Sequence, residues 1–329
     1  MSLMTIQRGS SGEYTQRIQQ RLSDLKLYSG PIDSSFGGGT AAAVKNFQIR
    51  QKLPATGAVD AATWALLFPD QPAPAPALAS APVAERCLAL TGSFETGNQP
   101  PDCFCGLTGD FDGQGISFGV LQWNLGQKTL QPLLQQVIER HPDLCQSIFH
   151  ENLDTIRALG SATLEEQLTF ARSIQNRGVV NEPWRGILRT LGRTPEFCAI
   201  QSDAAAGLYE RAGAMCGEYG LTSQRAVALM FDILTQNGGI GPIVKSQIMA
   251  DFAQLPPAGA AETEVARMRI IANRRAASAR PEFVDDVRTR KLTIANGTGA
   301  VHGITYDLEG TFCLTLAPFT SQSSVGNGQ

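Results

Sequence analysis

The chain has 329 residues, of which 43% are apolar and 17% charged, with a formal charge of −3. That balance suits about two folded domains and excludes a disordered, highly charged chain. It advertises no polybasic nucleic-acid surface, and no unbroken apolar run is long enough for a membrane-spanning helix.

The start, MSLMTIQRGSSG, lacks the apolar stretch of a secretory signal, and Met1-Ser2-Leu3 ahead of Met4 reads as a leader that puts the native start at Met4. Seven cysteines leave at least one thiol unpaired, and Cys103-Phe-Cys105 lacks the second pair a zinc site needs. Thiols without a metal or redox role, and no cofactor, are therefore expected.

In residues 1–70, Tyr14, Ile18, Leu22 and Leu25 share one helical face. A turn-rich loop, YSGPIDSSFG, follows, and Thr40 is the expected cap of a second helix carrying Ala43, Val44 and Phe47. Asp60 is placed to cap a third helix that holds Trp64 and Leu67. Gly12, Ile32-Asp33, Phe36-Gly37, Val44, Phe47-Gln48, Leu53, Thr56-Gly57, Val59-Asp60 and Thr63-Trp64 together resemble the bacterial three-helix peptidoglycan-binding domain. The resemblance implies cell-wall binding.

Residues 71–84, QPAPAPALASAPVA, contain no charge, and the alternating Pro and Ala predict an extended linker between domains 1–70 and 85–329. The charge is +2 before it (seven basic, five acidic) and −5 after it (20 basic, 25 acidic). The larger domain reads as mainly helical, with helices over 130–140, 164–176, 196–219, 223–236, 265–279 and 281–292. Short strands are expected only within about 96–122.

Candidate chemistry lies where regular structure breaks. LALTGSFE reads as the end of a helix delivering Glu95 into a glycine-rich loop, where partial desolvation would suit a general acid. Glycosidic cleavage wants a second carboxylate, and Asp110 and Asp112 are the candidates, expected on one side of a strand. Leu90-Thr91-x-x-Phe94-Glu95 followed by Asp112-Gly113-x-Gly115-x-Ser117-x-Gly119-Val120-Leu121 is similar to the catalytic segment of chitosanases in the lysozyme superfamily. The resemblance implies Glu95 as proton donor, Asp112 as general base and Ser117 as a holder of the attacking water. Gln114 stands where those enzymes usually carry arginine.

Asp110, Gln122, Trp123, Gln236 and Asn237 are candidate sugar contacts, although core packing suits Trp123 better and helix capping suits Asn237 equally well. His302 lacks the Ser or Cys partner of a nucleophilic triad and reads as part of a tight turn.

The expected function is a muramidase of lysozyme-like fold cutting peptidoglycan strands, inverting, with no nucleic-acid partner. A chitosanase, a lytic transglycosylase and a non-catalytic wall-binding protein are the alternatives. The substrate lies in the periplasm or at the cell wall, so release through a holin-type hole or a specialised secretion system is expected. Delivery machinery or an immunity protein would be the further partner.

Overall fold

The computed structural model describes residues 5–319; the expected start at Met4 lies outside them. The chain forms two compact units, one taking the chain up to Leu90 together with the chain from Gly207 onward, the other Thr91–Ala206. The fold is mainly α, with a small three-helix N-terminal domain and short antiparallel hairpins.

In the first unit, α1 (Glu13–Asp24), α2 (Gly38–Arg50) and α3 (Ala61–Leu67) enclose Ile18, Leu22, Val44, Phe47, Trp64 and Leu67, the stripes that period 3.6 requires. Two buried amides tie loops to this core. Gln19 Nε2 donates to Asp33 Oδ1 (2.9 Å) and the Ser35 carbonyl (3.0 Å), and Gln48 Nε2 donates to the Ala58 carbonyl (2.8 Å) and Thr63 Oγ1 (3.1 Å). Asp60 caps α3 as expected, its Oδ1 accepting from the Thr63 N–H at 2.8 Å. Thr40 does not cap α2. The helix starts at Gly38 with Gly37 as its cap, and Thr40 is buried one turn in, its hydroxyl accepting from Gln19 Nε2 at 3.3 Å. Residues 71–82 hold no helix or strand, yet Leu78 is buried, and Arg86 on α4 (Val83–Thr96) donates to the Ala79 and Ala81 carbonyls at 3.1 and 2.8 Å.

In the second unit, short strands β1 (Leu107–Thr108), β2 (Ser117–Phe118) and β3 (Trp123–Asn124) precede α5 (Gln131–Arg140), α6 (Pro142–Phe149), α7 (Leu153–Ser161) and α8 (Leu164–Ser173). A hairpin, β4 (Gln175–Asn176) and β5 (Val179–Val180), then leads to α9 (Trp184–Gly192) and the start of α10 (Pro195–Glu218). Phe118 and Phe197 stack at 5.4 Å inside its core. The helix expected over 164–176 stops at Ser173 because residues 175–180 pair with one another.

The first unit resumes after α10 with α11 (Gln224–Asn237), α12 (Pro242–Phe252), α13 (Ala260–Ala277) and α14 (Val284–Asn296). Strands β6 (Thr298–Val301) and β7 (Ile304–Asp307) and the short α15 (Leu308–Phe312) close the described chain. Every residue of α11 from Ala226 to Leu234 is buried, so its apolar content is core. Strands expected only near 96–122 also occur at 175–180 and 298–307. His302 (φ 50°) and Gly303 (φ 77°) form the two-residue turn of the last hairpin, both left-handed as such a turn demands. Cys87, Cys103, Cys105, Cys145, Cys216 and Cys313 are buried thiols outside any disulfide. Among the described residues no helix is long and apolar enough to cross a membrane.

Candidate active site

Glu95 is the last residue but one of α4. The helix reaches the sheet by close backbone approach: a Cβ on Gly92 would collide with Val120 Cγ2, and one on Gly106, just before β1, would collide with Thr96 Cγ2. Glu95 is thus carried by a helix end seated against the three-stranded sheet. Thr91, Gly92, Ser93 and Phe94 are buried, and Glu95 is exposed. The expected desolvation is not found.

The sheet has the order β1-β2-β3, with Ser117 on the central strand opposite Thr108 on one side and Asn124 on the other. Residues 109–116 link β1 to β2 and contain both candidate aspartates. Neither is on a strand, so the alternation expected to align them does not apply. Asp110 builds the loop. Its Oδ1 accepts from the Gly113 N–H at 2.6 Å, its Oδ2 lies 3.8 Å from Arg172 Nε, and its own N–H donates to Gln175 Oε1 at 2.8 Å. Asp112 is exposed at the tip, where Oδ1 accepts from the Gln114 N–H at 3.1 Å.

The loop is pinned to the β4–β5 hairpin. Gly109 N–H donates to the Gly178 carbonyl at 3.1 Å, and the exposed ring of Phe111 covers Gly178, whose φ is 77°. The sequence reading missed this hairpin partner. Its signal was available in Asn176-Arg-Gly178, a turn tripeptide directly before Val179-Val180.

Among the candidate sugar contacts, the side-chain amides of Gln122 and Gln236 are engaged within the protein. Gln122 Nε2 donates to the Gly119 carbonyl at 2.8 Å and its Oε1 accepts from Thr108 Oγ1 at 2.9 Å, closing the β2–β3 turn. Trp123 is half-buried against the core of the second unit. Gln201, which sequence reasoning overlooked, is fully buried and straps this turn in place. Its Oε1 accepts from the Val120 N–H at 2.7 Å while Nε2 donates to the Phe104 carbonyl at 3.1 Å. A lone amide on the apolar face of Phe197, Ile200 and Ala205 was the signal that could have found it.

Gln236 and Asn237 belong to the other unit. Gln236 Oε1 accepts from Lys291 Nζ at 2.6 Å and its Nε2 donates to Asp286 Oδ2 at 3.4 Å. The Asn237 main-chain carbonyl accepts from Arg275 Nη2 at 3.4 Å while its side-chain Oδ1 is buried without a hydrogen-bond partner, and Gly238 (φ 74°) caps the helix. Gln236 thereby borders a buried charge cluster. Arg290 donates to Asp232 through Nε (3.1 Å) and Nη2 (2.6 Å), and Lys291 Nζ pairs with the same carboxylate. Burial alone would push the Asp232 carboxyl up, but the charges and hydrogen bonds of Arg290 and Lys291 outweigh it and bring it down to about 2. Asp286 Oδ1 in turn meets His302 Nε2 at 2.6 Å, so His302 serves its turn and this network. Among the described residues no group of three or more His, Cys, Asp or Glu could hold a metal ion.

Comparison with known proteins identifies a class for the N-terminal domain first. Residues 11–67 match the family described as "Putative peptidoglycan binding domain". Over 66 residues the chain is 42% identical to the spore cortex-lytic enzyme of Bacillus cereus, a match that covers 20% of this chain and 26% of that relative's length. Among solved structures, a chitosanase from Gynuella sunshinyii in complex with chitotetraose aligns with 69% of this chain and 97% of its own at 15% identity and a TM-score of 0.41. The native chitosanase of Bacillus subtilis MY002 aligns with 66% of this chain and 88% of its own at 16% identity and a TM-score of 0.39.

Proposed function

We propose that the chain is a peptidoglycan hydrolase, a muramidase of lysozyme-like fold that cuts the β-1,4 bonds of the wall glycan. The observation that carries this is the match of residues 11–67 to a peptidoglycan-binding family, together with 42% identity to a cortex-lytic enzyme in that region. In this reading residues 1–70 hold the wall, 71–84 join, and 85–329 cut. The protein works at the cell wall.

Glu95 donates the proton to the leaving oxygen and Asp112 takes one from the attacking water, which Ser117 helps to hold. Supporting these roles, Glu95 and Asp112 are both exposed and within one compact unit, where a glycan could reach them. Asp110 is the poorer base because its carboxylate is committed to shaping the loop. An inverting reaction places one water between acid and base, with the carboxyls roughly 6.5–9.5 Å apart in the bound complex.

The test is digestion of purified sacculi by the wild type and by Glu95→Gln and Asp112→Asn, with products identified by mass spectrometry. Reducing ends that vanish in both variants are expected. Anhydro-sugar ends with Asp112→Asn still active would make it a lytic transglycosylase, and cleavage of chitosan with sacculi untouched would make it a chitosanase.

A further inference from the structure

We propose that a cavity of about 300 Å³, built jointly by the three-helix domain and the β6–β7 hairpin, binds a carboxylate group of peptidoglycan. This rests on the wall-binding reading and deepens it, by naming the surface and the chemistry it recognises. Both parts lie in the first compact unit.

Three features converge on an anion. Arg8 and Lys45 line the cavity, and no carboxylate does. Gln7, also in the lining, is 2% exposed, and its Nε2 is buried without a hydrogen-bond partner. Buried donors are nearly always satisfied, so one left open beside a cavity marks a place for an acceptor. One flank of α2 contributes Gly38, Ala41 and Ala42 to the lining. The same three small residues recur at i, i+3 and i+4, leaving no bulky side chain between a ligand and the backbone.

The hairpin completes the wall. Arg8 Nη1 donates to the Gly303 carbonyl at 3.1 Å, which orients one cation, and Thr305 adds a hydroxyl to the lining. Thr5 anchors the arrangement, its N–H donating to the Gly310 carbonyl at 3.2 Å and its Oγ1 to Asp307 Oδ2 at 2.9 Å. A volume of about 300 Å³ is at the lower end for small-molecule sites and holds one sugar or a short peptide end. Peptidoglycan offers carboxylates on its lactyl sugar and on its stem peptide, whereas a glucosaminium polymer would meet two like charges.

The experiment uses the full chain, because the hairpin is half of the cavity. Calorimetric titration with N-acetylmuramic acid, D-alanyl-D-alanine and N-acetylglucosamine is run beside co-sedimentation with sacculi. The wild type should bind one of the two carboxylate probes, which identifies the source, and should not bind N-acetylglucosamine. The double variant Arg8→Gln/Lys45→Gln, with both changes at exposed positions, should lose at least tenfold in affinity with an unchanged melt, and its pelleted fraction should fall. Gln7→Leu, which removes the open donor while keeping the apolar volume, should weaken binding severalfold without lowering the melt.

Equal binding of N-acetylglucosamine, no binding of either carboxylate probe, or a double variant that sediments like the wild type would overturn the assignment. If the wild type itself fails to pellet with sacculi, the wall-binding reading falls, and the cavity assignment falls with it.

Discussion

Two acidic regions of this chain use carboxylates in opposite ways. Around β1–β3, Glu95 and Asp112 face solvent, and the loop that carries Asp112 is held by its neighbours: Asp110, Gly109 and the β4–β5 hairpin. Between α11 and α14, Asp232 is fully buried and satisfied by two cations. A carboxylate meant to meet a substrate can be replaced with little structural loss. One that neutralises buried cations cannot, because removing it leaves charge uncompensated in a dry interior.

The sharpest test of the contrast is Glu95→Gln. Activity on sacculi should fall by ~10²–10⁴ while the thermal melt stays at the wild-type value. A folded variant with full activity would dissolve the comparison, and the search for the acid would restart elsewhere. Asp232→Asn should do the reverse and cost ~3–5 kcal/mol in urea unfolding, because Arg290 and Lys291 remain buried. The same carboxylate predicts an acid limit. Its folded value of about 2 lies below the ordinary 3.8, so its stabilisation is present above ~4 and is lost as pH falls through about 2. Asp232→Asn should flatten that part of the acid-unfolding curve.

Smaller effects separate the loop's scaffold from its chemistry. Gly178→Ala puts a Cβ at φ 77° and against the Phe111 ring, and should cost ~1–3 kcal/mol while loosening the Asp112 loop. Activity that survives this change undiminished would show that the pinning is incidental. Asp110→Asn should be the mildest. The amide oxygen can still accept from Gly113, and the 3.8 Å pair with the largely exposed Arg172 contributes only ~0.2–1 kcal/mol.

Much of this was legible from spacing. The stripes of α1–α3, the Asp60 cap and the long buried α11 follow from periods and caps that operate within a few residues. The short helices α6, α7, α9 and α12 were not foreseen. Each has only two or three turns, and tertiary packing rather than propensity stabilises elements that short. Thr40 misled for a related reason: a good cap residue is outbid when Gly37–Gly39 let the helix begin earlier and a buried Gln19 takes the hydroxyl.

By itself, then, the sequence determined the helical class, the three-helix N-terminal domain, and the placing of Glu95 at a helix end before an acidic, glycine-rich loop. Those features depend on neighbours close along the chain. Only tertiary structure decided that Glu95 faces water, that Asp110 shapes the loop while Asp112 sits at its tip, and that Gln201 straps the turn from 81 residues away. It alone also decided that Arg8 and Lys45 share a cavity with a hairpin near residue 303. Burial and long-range hydrogen bonds depend on which surfaces meet, and no local period encodes that.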